Sequence, residues 1–160
     1  MTWAEVVDNP VLQDLPFKIE LNKWGNIEMS PARSRHGDYQ AEIAHLLRVH
    51  RSDGFSGTEV GVDTVENTKV PDVIWASFER RRIVPHELSW ASAPEICVEI
   101  FSPSNWLEEQ MHKGRLYFQA GAEEFWLCDE RGNMQFFGAN GRLERSRLCP
   151  EFPVQVEIPD

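Results

Sequence analysis

No apolar run in this 160-residue chain approaches the ~18 residues that a membrane-spanning helix needs. The opening Met1 to Asp8 lacks the basic start and apolar stretch of a signal peptide, so a cytoplasmic protein with no membrane partner is expected. Cysteine is scarce. Cys97, Cys128 and Cys149 are an odd number without a Cys-x-x-Cys pair, which argues against zinc ribbons and disulfide frameworks and reads as small buried hydrophobes. A glycine-rich phosphate cradle is missing as well, which weakens a small phosphorylated substrate as the target. Basic charge is short, with 16 Lys and Arg against 26 Asp and Glu and a net charge of −10. Nucleic-acid binders are usually basic over at least one face, because neutralising phosphates releases counterions. The arginines cluster at Arg33 and Arg35, at Arg80 to Arg82, and at Arg142, Arg145 and Arg147. Such clusters either touch a phosphate backbone or are solvated loop charge.

At 18.5 kDa, with 41% apolar and 26% charged residues, the chain has the make-up of one globular domain spanning 1–160, with 1–16 as an N-terminal arm. Phe17 to Met29 alternates around Asn22-Lys23-Trp24-Gly25-Asn26 and predicts a β-hairpin. Tyr39, Ile43, Leu46 and Leu47 form one apolar stripe on a helix from about Gly37 to His50, preceded by His36 as a cap or loop residue. Strands over Gly57 to Val65 and Thr68 to Ser77 flank the turn pair Glu66-Asn67, with Pro71 marking an edge, bulge or bend. Phe78 to Ala93 reads as a polar, mobile loop, holding Arg80 to Arg82 and His86. Glu95 to Ser102, largely apolar on both faces, is the expected central strand. Ser102-Pro103-Ser104-Asn105 offers N-caps for a helix over Trp106 to Gln119, ending at Gly121. Strands over Glu123 to Cys128, Met134 to Phe137 and Phe152 to Ile158 complete an α/β fold, a mixed central sheet flanked by helices.

Two acids disturb this pattern. Asp72 lies in Val-Pro-Asp-Val-Ile-Trp and Glu99 in Glu-Ile-Cys-Val-Glu-Ile-Phe, both otherwise apolar. An unpaired carboxylate there would cost several kcal/mol, on the order of the penalties for buried polar groups. Either a divalent cation held between the two compensates them, or a cationic side chain such as Lys113 from the following helix. Lys113, Leu116, Tyr117 and Ala120 share one helix face, so Lys113 can point inward and Tyr117 either bonds it or packs. Structural ion pairs or strand caps remain the alternative.

The segments Val70-Pro71-Asp72-Val73, Pro94 to Ser104, Lys113 with Tyr117, and Gly121-Ala122-Glu123-Glu124-Phe125-Trp126-Leu127 together resemble the Uma-two family of restriction-endonuclease-like proteins, within the PD-(D/E)xK nuclease superfamily. The resemblance covers roughly Leu15 to Phe137. It implies a restriction-endonuclease-like fold, Mg²⁺ or Mn²⁺ as cofactor, nucleic acid (DNA first) as partner, and a homodimer. Asp72 and Glu99 become the metal-binding acids, with the Ile100 carbonyl as a further ligand and Lys113 as the cation of the site. Phe101 stands where the superfamily's short motif has its lysine, which the Uma-type pattern moves to the next helix. Glu20, ahead of a turn and Met29-Ser30-Pro31, is a further catalytic candidate under the resemblance, and Glu42 a lesser one. Two readings stay open: a metal-dependent endonuclease, or an inactive nuclease-fold protein serving as a protein-binding or oligomeric module.

Overall fold

The computed structural model describes residues 1–31, 34–83, 88–102 and 107–159. Arg33, His86 and the Pro103-Ser104-Asn105-Trp106 start expected for the second long helix lie outside them. The chain runs α1 (Trp3–Val7), a 3-10 turn at Pro10–Leu12, β1 (Phe17–Leu21), β2 (Ile27–Pro31), α2 (Ser34–His50), β3 (Gly54–Thr58), β4 (Val62–Thr64), β5 (Asn67–Lys69), β6 (Val73–Ser77), α3 (Phe78–Ile83), β7 (Ile96–Ile100), α4 (Leu107–Gln119), β8 (Glu124–Cys128), β9 (Met134–Gly138) and β10 (Gly141–Leu143).

The strand that the composition singles out, Ile96 to Ile100, is buried at every position and lies inside a six-stranded sheet of order β10-β9-β8-β7-β6-β3. Its pairing with β8 is parallel and needs a crossover, which α4 provides; the other neighbours in the sheet are antiparallel. Side chains alternate across a strand, so β7 feeds two cores. Ile96, Val98 and Ile100 pack with Tyr39, Ile43 and Leu47 of α2, while Cys97 packs with Tyr117, Phe125 and Leu127 on the α4 side. The result is a mixed α/β domain with a helix on each face of the sheet.

Two glycines position α4. Gly121 takes φ +113° just beyond the helix and stops it where an L side chain would be strained. Gly114 lies mid-helix, where glycine costs about 1 kcal/mol against alanine. A Cβ there would sit 2.4 Å from Phe125 Cδ1, so its absence lets the helix lie close on β8 and carries its neighbour Lys113 inward.

Several expectations need correction. The two long strands around Glu66-Asn67 are four short ones: β4 and β5 form a separate hairpin, and β3 pairs with β6, with the chain broken at Glu59 (φ +56°). Pro71 precedes a bend at Asp72, as one of its expected alternatives had it, but the strand that follows, β6, is interior. The connection after β6 begins as helix α3, in which Arg80 donates to the carbonyls of Ala93 and Gly121. Arg80 is thus a structural brace. Phe152 to Ile158 is not a strand: Phe152 and Val156 are buried, but pairing is confined to a bridge between Asn133 and Gln155 with flanking hydrogen bonds, and prolines at 153 and 159 prevent a longer ladder. The three cysteines are buried and free, and burial pushes the Cys128 thiol up to about 12. No helix among the described residues is long and apolar enough to cross a membrane.

Candidate active site

The antiparallel register of β6 and β7 pairs Val73 with Val98, which brings Asp72, one residue before β6, beside Glu99. Asp72 is fixed at both ends: its N–H donates to the Val98 carbonyl at 2.9 Å, and its Oδ2 accepts from the Ile100 N–H at 2.7 Å. The acids are 3% and 2% exposed, so the desolvation problem raised by their sequence context is real.

The group that lies between them is Lys18 of the β1–β2 hairpin. Its Nζ is 3.0 Å from Asp72 Oδ1, 2.9 Å from Glu99 Oε2 and 3.9 Å from Glu20 Oε1. Lys113 is also brought in, but onto Glu20, at 2.9 and 2.8 Å from its two oxygens, with Glu99 Oε1 further off at 3.5 Å. Glu20 is a buried site residue whose Oε1 also accepts from the Val70 N–H at 2.8 Å. Tyr117, expected to bond Lys113 or pack, donates its hydroxyl to Glu99 Oε1 at 2.7 Å. His36, in the first turn of α2, places Nε2 3.1 Å from Asp72 Oδ1, and Gln40 one turn on donates to the Asp72 carbonyl at 2.8 Å. Glu42 does not line the site. Ile100 borders it, with its N–H committed to Asp72.

These groups floor a cleft of about 520 Å³, walled by the hairpin residues Phe17 and Met29 and by Glu28, Glu59 and Glu109. Gln110, one turn before Lys113, also lines it. Its side chain is buried, and Oε1 has no hydrogen-bond partner among the described residues. A buried acceptor of this kind calls for a water or ligand donor.

The charges are strongly coupled. Burial alone would lower the Lys18 pKa, but the charges of Asp72, Glu99 and Glu20 outweigh it and hold the ammonium well above the usual lysine range. Burial likewise raises Asp72, and is overcome by Lys18, His36 and the Ile100 amide, so that its carboxyl titrates well below the ordinary value. Glu20 is lowered, Lys18 and Lys113 prevailing over burial. Glu99 is raised: burial, with the charges of Asp72 and Glu20 added, exceeds what Lys113 and Lys18 return.

The model of the family described as "Putative restriction endonuclease" (Uma2) matches residues 10–155. The chain belongs to this family. Among solved structures, it is similar to a "putative nuclease" from Anabaena variabilis, with a TM-score of 0.66 and 19% sequence identity over 86% of this chain and 79% of that one. At that identity the likeness establishes the shared fold. No curated protein matches the sequence.

The structure thus gathers Asp72, Glu99, Glu20 and Lys113, with Ile100 at their border, at one cleft. Sequence reasoning missed Lys18 as a site residue and took His36 for a cap or loop hydrogen-bonder. Alternation along β1 held the signal for Lys18: residues 18 and 20 share a strand face, so a site role for Glu20 carries Lys18 with it.

Proposed function

We propose that this Uma2 protein is a divalent-metal-dependent endonuclease that hydrolyses nucleic-acid phosphodiesters. The observation that carries the reading is the convergence of Asp72 and Glu99, from adjacent strand positions, on a single cation position at the floor of an open cleft. The donor set suits a hard cation. The oxygens are carboxylates, a cation already bridges two of them, and Gln110 Oε1 offers an acceptor still lacking a donor. As they stand, no three Asp, Glu, His or Cys side chains among the described residues are grouped to hold a metal. The carboxylates are instead engaged with lysines.

When bound, Mg²⁺ or Mn²⁺ supplies Lewis acidity and lowers the pKa of a water. Asp72 and Glu99 offer the ligating oxygens, with the Ile100 carbonyl next in line. His36 and the Ile100 N–H hold Asp72 in its rotamer, and Tyr117 does the same for Glu99. Lys113, tethered by Glu20 beside Glu99, keeps its proton and offers positive charge to a phosphoryl oxygen as negative charge develops on it. Gln110, one turn before Lys113, offers its unpartnered Oε1 as an acceptor to a water or ligand of the cleft.

Calorimetry with Mg²⁺ and Mn²⁺ on wild type, Asp72→Asn and Glu99→Gln, with plasmid nicking on the same samples at low salt, tests this. Binding and nicking lost together in both variants support the nuclease. Metal binding without nicking leaves the site and removes the substrate. One observation favours an inactive scaffold: the charges of the site are closed into a protein-only network on a chain of net charge −10. That reading predicts no metal binding by the wild type.

A further inference from the structure

The Lys18 ammonium occupies the point at which the two principal acids converge. It is not an incidental surface pair: the side chain is 16% exposed, and it touches Glu99 Oε2 together with Asp72 Oδ1, an oxygen it shares with His36 Nε2 at 3.1 Å. Asp72 Oδ2 is held by the Ile100 amide, and Glu99 Oε1 by Tyr117. Each acid therefore keeps one oxygen on the scaffold and turns the other to the Lys18 ammonium, with His36 as a second neighbour of Asp72 Oδ1. Glu20, which could complete a third ligand, is 3.9 Å from Lys18 and is drawn instead onto Lys113.

We propose that Lys18 is a built-in occupant of the metal position, which keeps Asp72 and Glu99 together in the metal-free protein and which a divalent cation must displace into the cleft. The inference rests on the metal-dependent reading above and adds to it a residue that sets metal affinity. Charge balance supports it. Three carboxylates face two ammonium groups, leaving one negative charge uncompensated among these five; exchange of Lys18 for a divalent ion leaves none. Location supports it too. Lys18 reaches the site from the hairpin and lines the cleft itself, so its head can leave toward solvent while β6, β7 and α4 stay in place.

The test uses the full chain and the metal alone. Mg²⁺ and Mn²⁺ binding is measured by calorimetry on wild type and Lys18→Met, with thermal unfolding of both in chelator and in saturating metal. Lys18→Met removes the competitor and is expected to bind metal about tenfold tighter or more, within the range of ordinary coupling between two ligands of one site. It should also melt lower than wild type in chelator and recover in metal. Should Lys18→Met fail to fold, acylation of wild-type Lys18 by an amine-reactive ester, read by mass spectrometry, decides. Labelling is expected to rise along the metal-binding isotherm as the amine is released. Wild type that binds metal while Lys18→Met binds no tighter, or while Lys18 labelling stays flat, overturns this proposal and leaves the metal site standing. Binding by Lys18→Met alone overturns the displacement, because Lys18 is then a permanent cation that no metal replaces in the wild type. Binding by neither protein overturns both this proposal and the metal-dependent function.

Discussion

Replacing Tyr117 by phenylalanine isolates one interaction of the site. The ring is fully buried and packs against Phe125 with centroids 6.1 Å apart, and phenylalanine keeps that contact. What disappears is the hydroxyl that donates to Glu99 Oε1 at 2.7 Å. The remaining neighbour of that oxygen, Lys113 at 3.5 Å, is too far for a good hydrogen bond. A hydrogen bond to a charged acceptor contributes about 1.5–3 kcal/mol net, so Tyr117→Phe should lose about 2 kcal/mol of unfolding free energy. The assay is urea unfolding at pH 7 in chelator, which holds the metal state constant. In a Glu99→Gln background the acceptor is neutral, and the same substitution should cost only about 0.5–1.5 kcal/mol. The two costs should therefore differ by roughly 1 kcal/mol, a coupling that a double-mutant cycle resolves. A loss below about 0.5 kcal/mol in the wild-type background, or equal losses in both, would refute the reasoning.

The depressed Asp72 carboxyl stabilises the fold above its unfolded value near ~4 and loses that contribution as pH falls toward the folded value. Asp72→Asn should therefore be less stable than wild type at pH 7, with the gap closing below pH ~4 in acid unfolding series. Glu99 is shifted upward, so its contribution is complete below ~4.3 and is lost as pH rises through the raised value. The stability of Glu99→Gln relative to wild type should thus increase with pH above ~4.3, and a flat or falling difference contradicts the assignment. Gly114→Ala gains about 1 kcal/mol in helix propensity but drives a Cβ to 2.4 Å from the Phe125 ring, so a net loss of about 1–3 kcal/mol is expected by denaturation; a stabilised variant would show that α4 does not need that close approach. Nucleic acid should bind with metal and not in chelator, since Glu28, Glu59 and Glu109 line the cleft. Tight binding in chelator with a steep salt dependence, by fluorescence anisotropy, would instead point to a basic face elsewhere, such as Arg142, Arg145 and Arg147.

The parts of the fold that could be read in the sequence are those where one local signal dominates. Ile96 to Ile100 has apolar residues on both faces and can only be interior, and Asn22 marks its own hairpin turn, its side chain accepting from the Trp24 and Asn26 amides. Helix α3 had no such signal. Its Phe-Glu-Arg-Arg-Arg-Ile buries no residue, and tertiary hydrogen bonds from Arg80 brace it. The tail from Phe152 failed for the opposite reason, since Phe152 and Val156 look like a strand and are buried like one, but the prolines leave too few amides for a ladder. At the site, Asp72 and Glu99 stood out because an acid in an apolar run demands a partner. The partner did not stand out, because Lys18 is 54 and 81 residues from the acids it meets, and an isolated lysine on a hairpin looks solvated.

The net charge of −10, the strongest argument against a nucleic-acid substrate, carries less weight once the site is seen. Exposed charges more than about 10 Å apart are largely screened at ordinary ionic strength, whereas groups in a shared, partly buried floor are not. A phosphodiester entering the cleft would meet Lys18, Lys113 and the acids that hold them before it responds to the chain as a whole. The acids buried there, Glu20, Asp72 and Glu99, are largely matched by the two lysines, so most of the net charge of −10 lies outside the site. Under the proposed function, the quantity that governs whether phosphate is admitted is therefore the balance of a handful of buried groups, and a divalent cation taking the place of one ammonium would change that balance by a full unit. Under the proposed function a protein arranged in this way need not be basic to act on nucleic acid; it needs a cation delivered to one point, where Glu99 Oε2 and Asp72 Oδ1, the latter shared with His36, now meet Lys18.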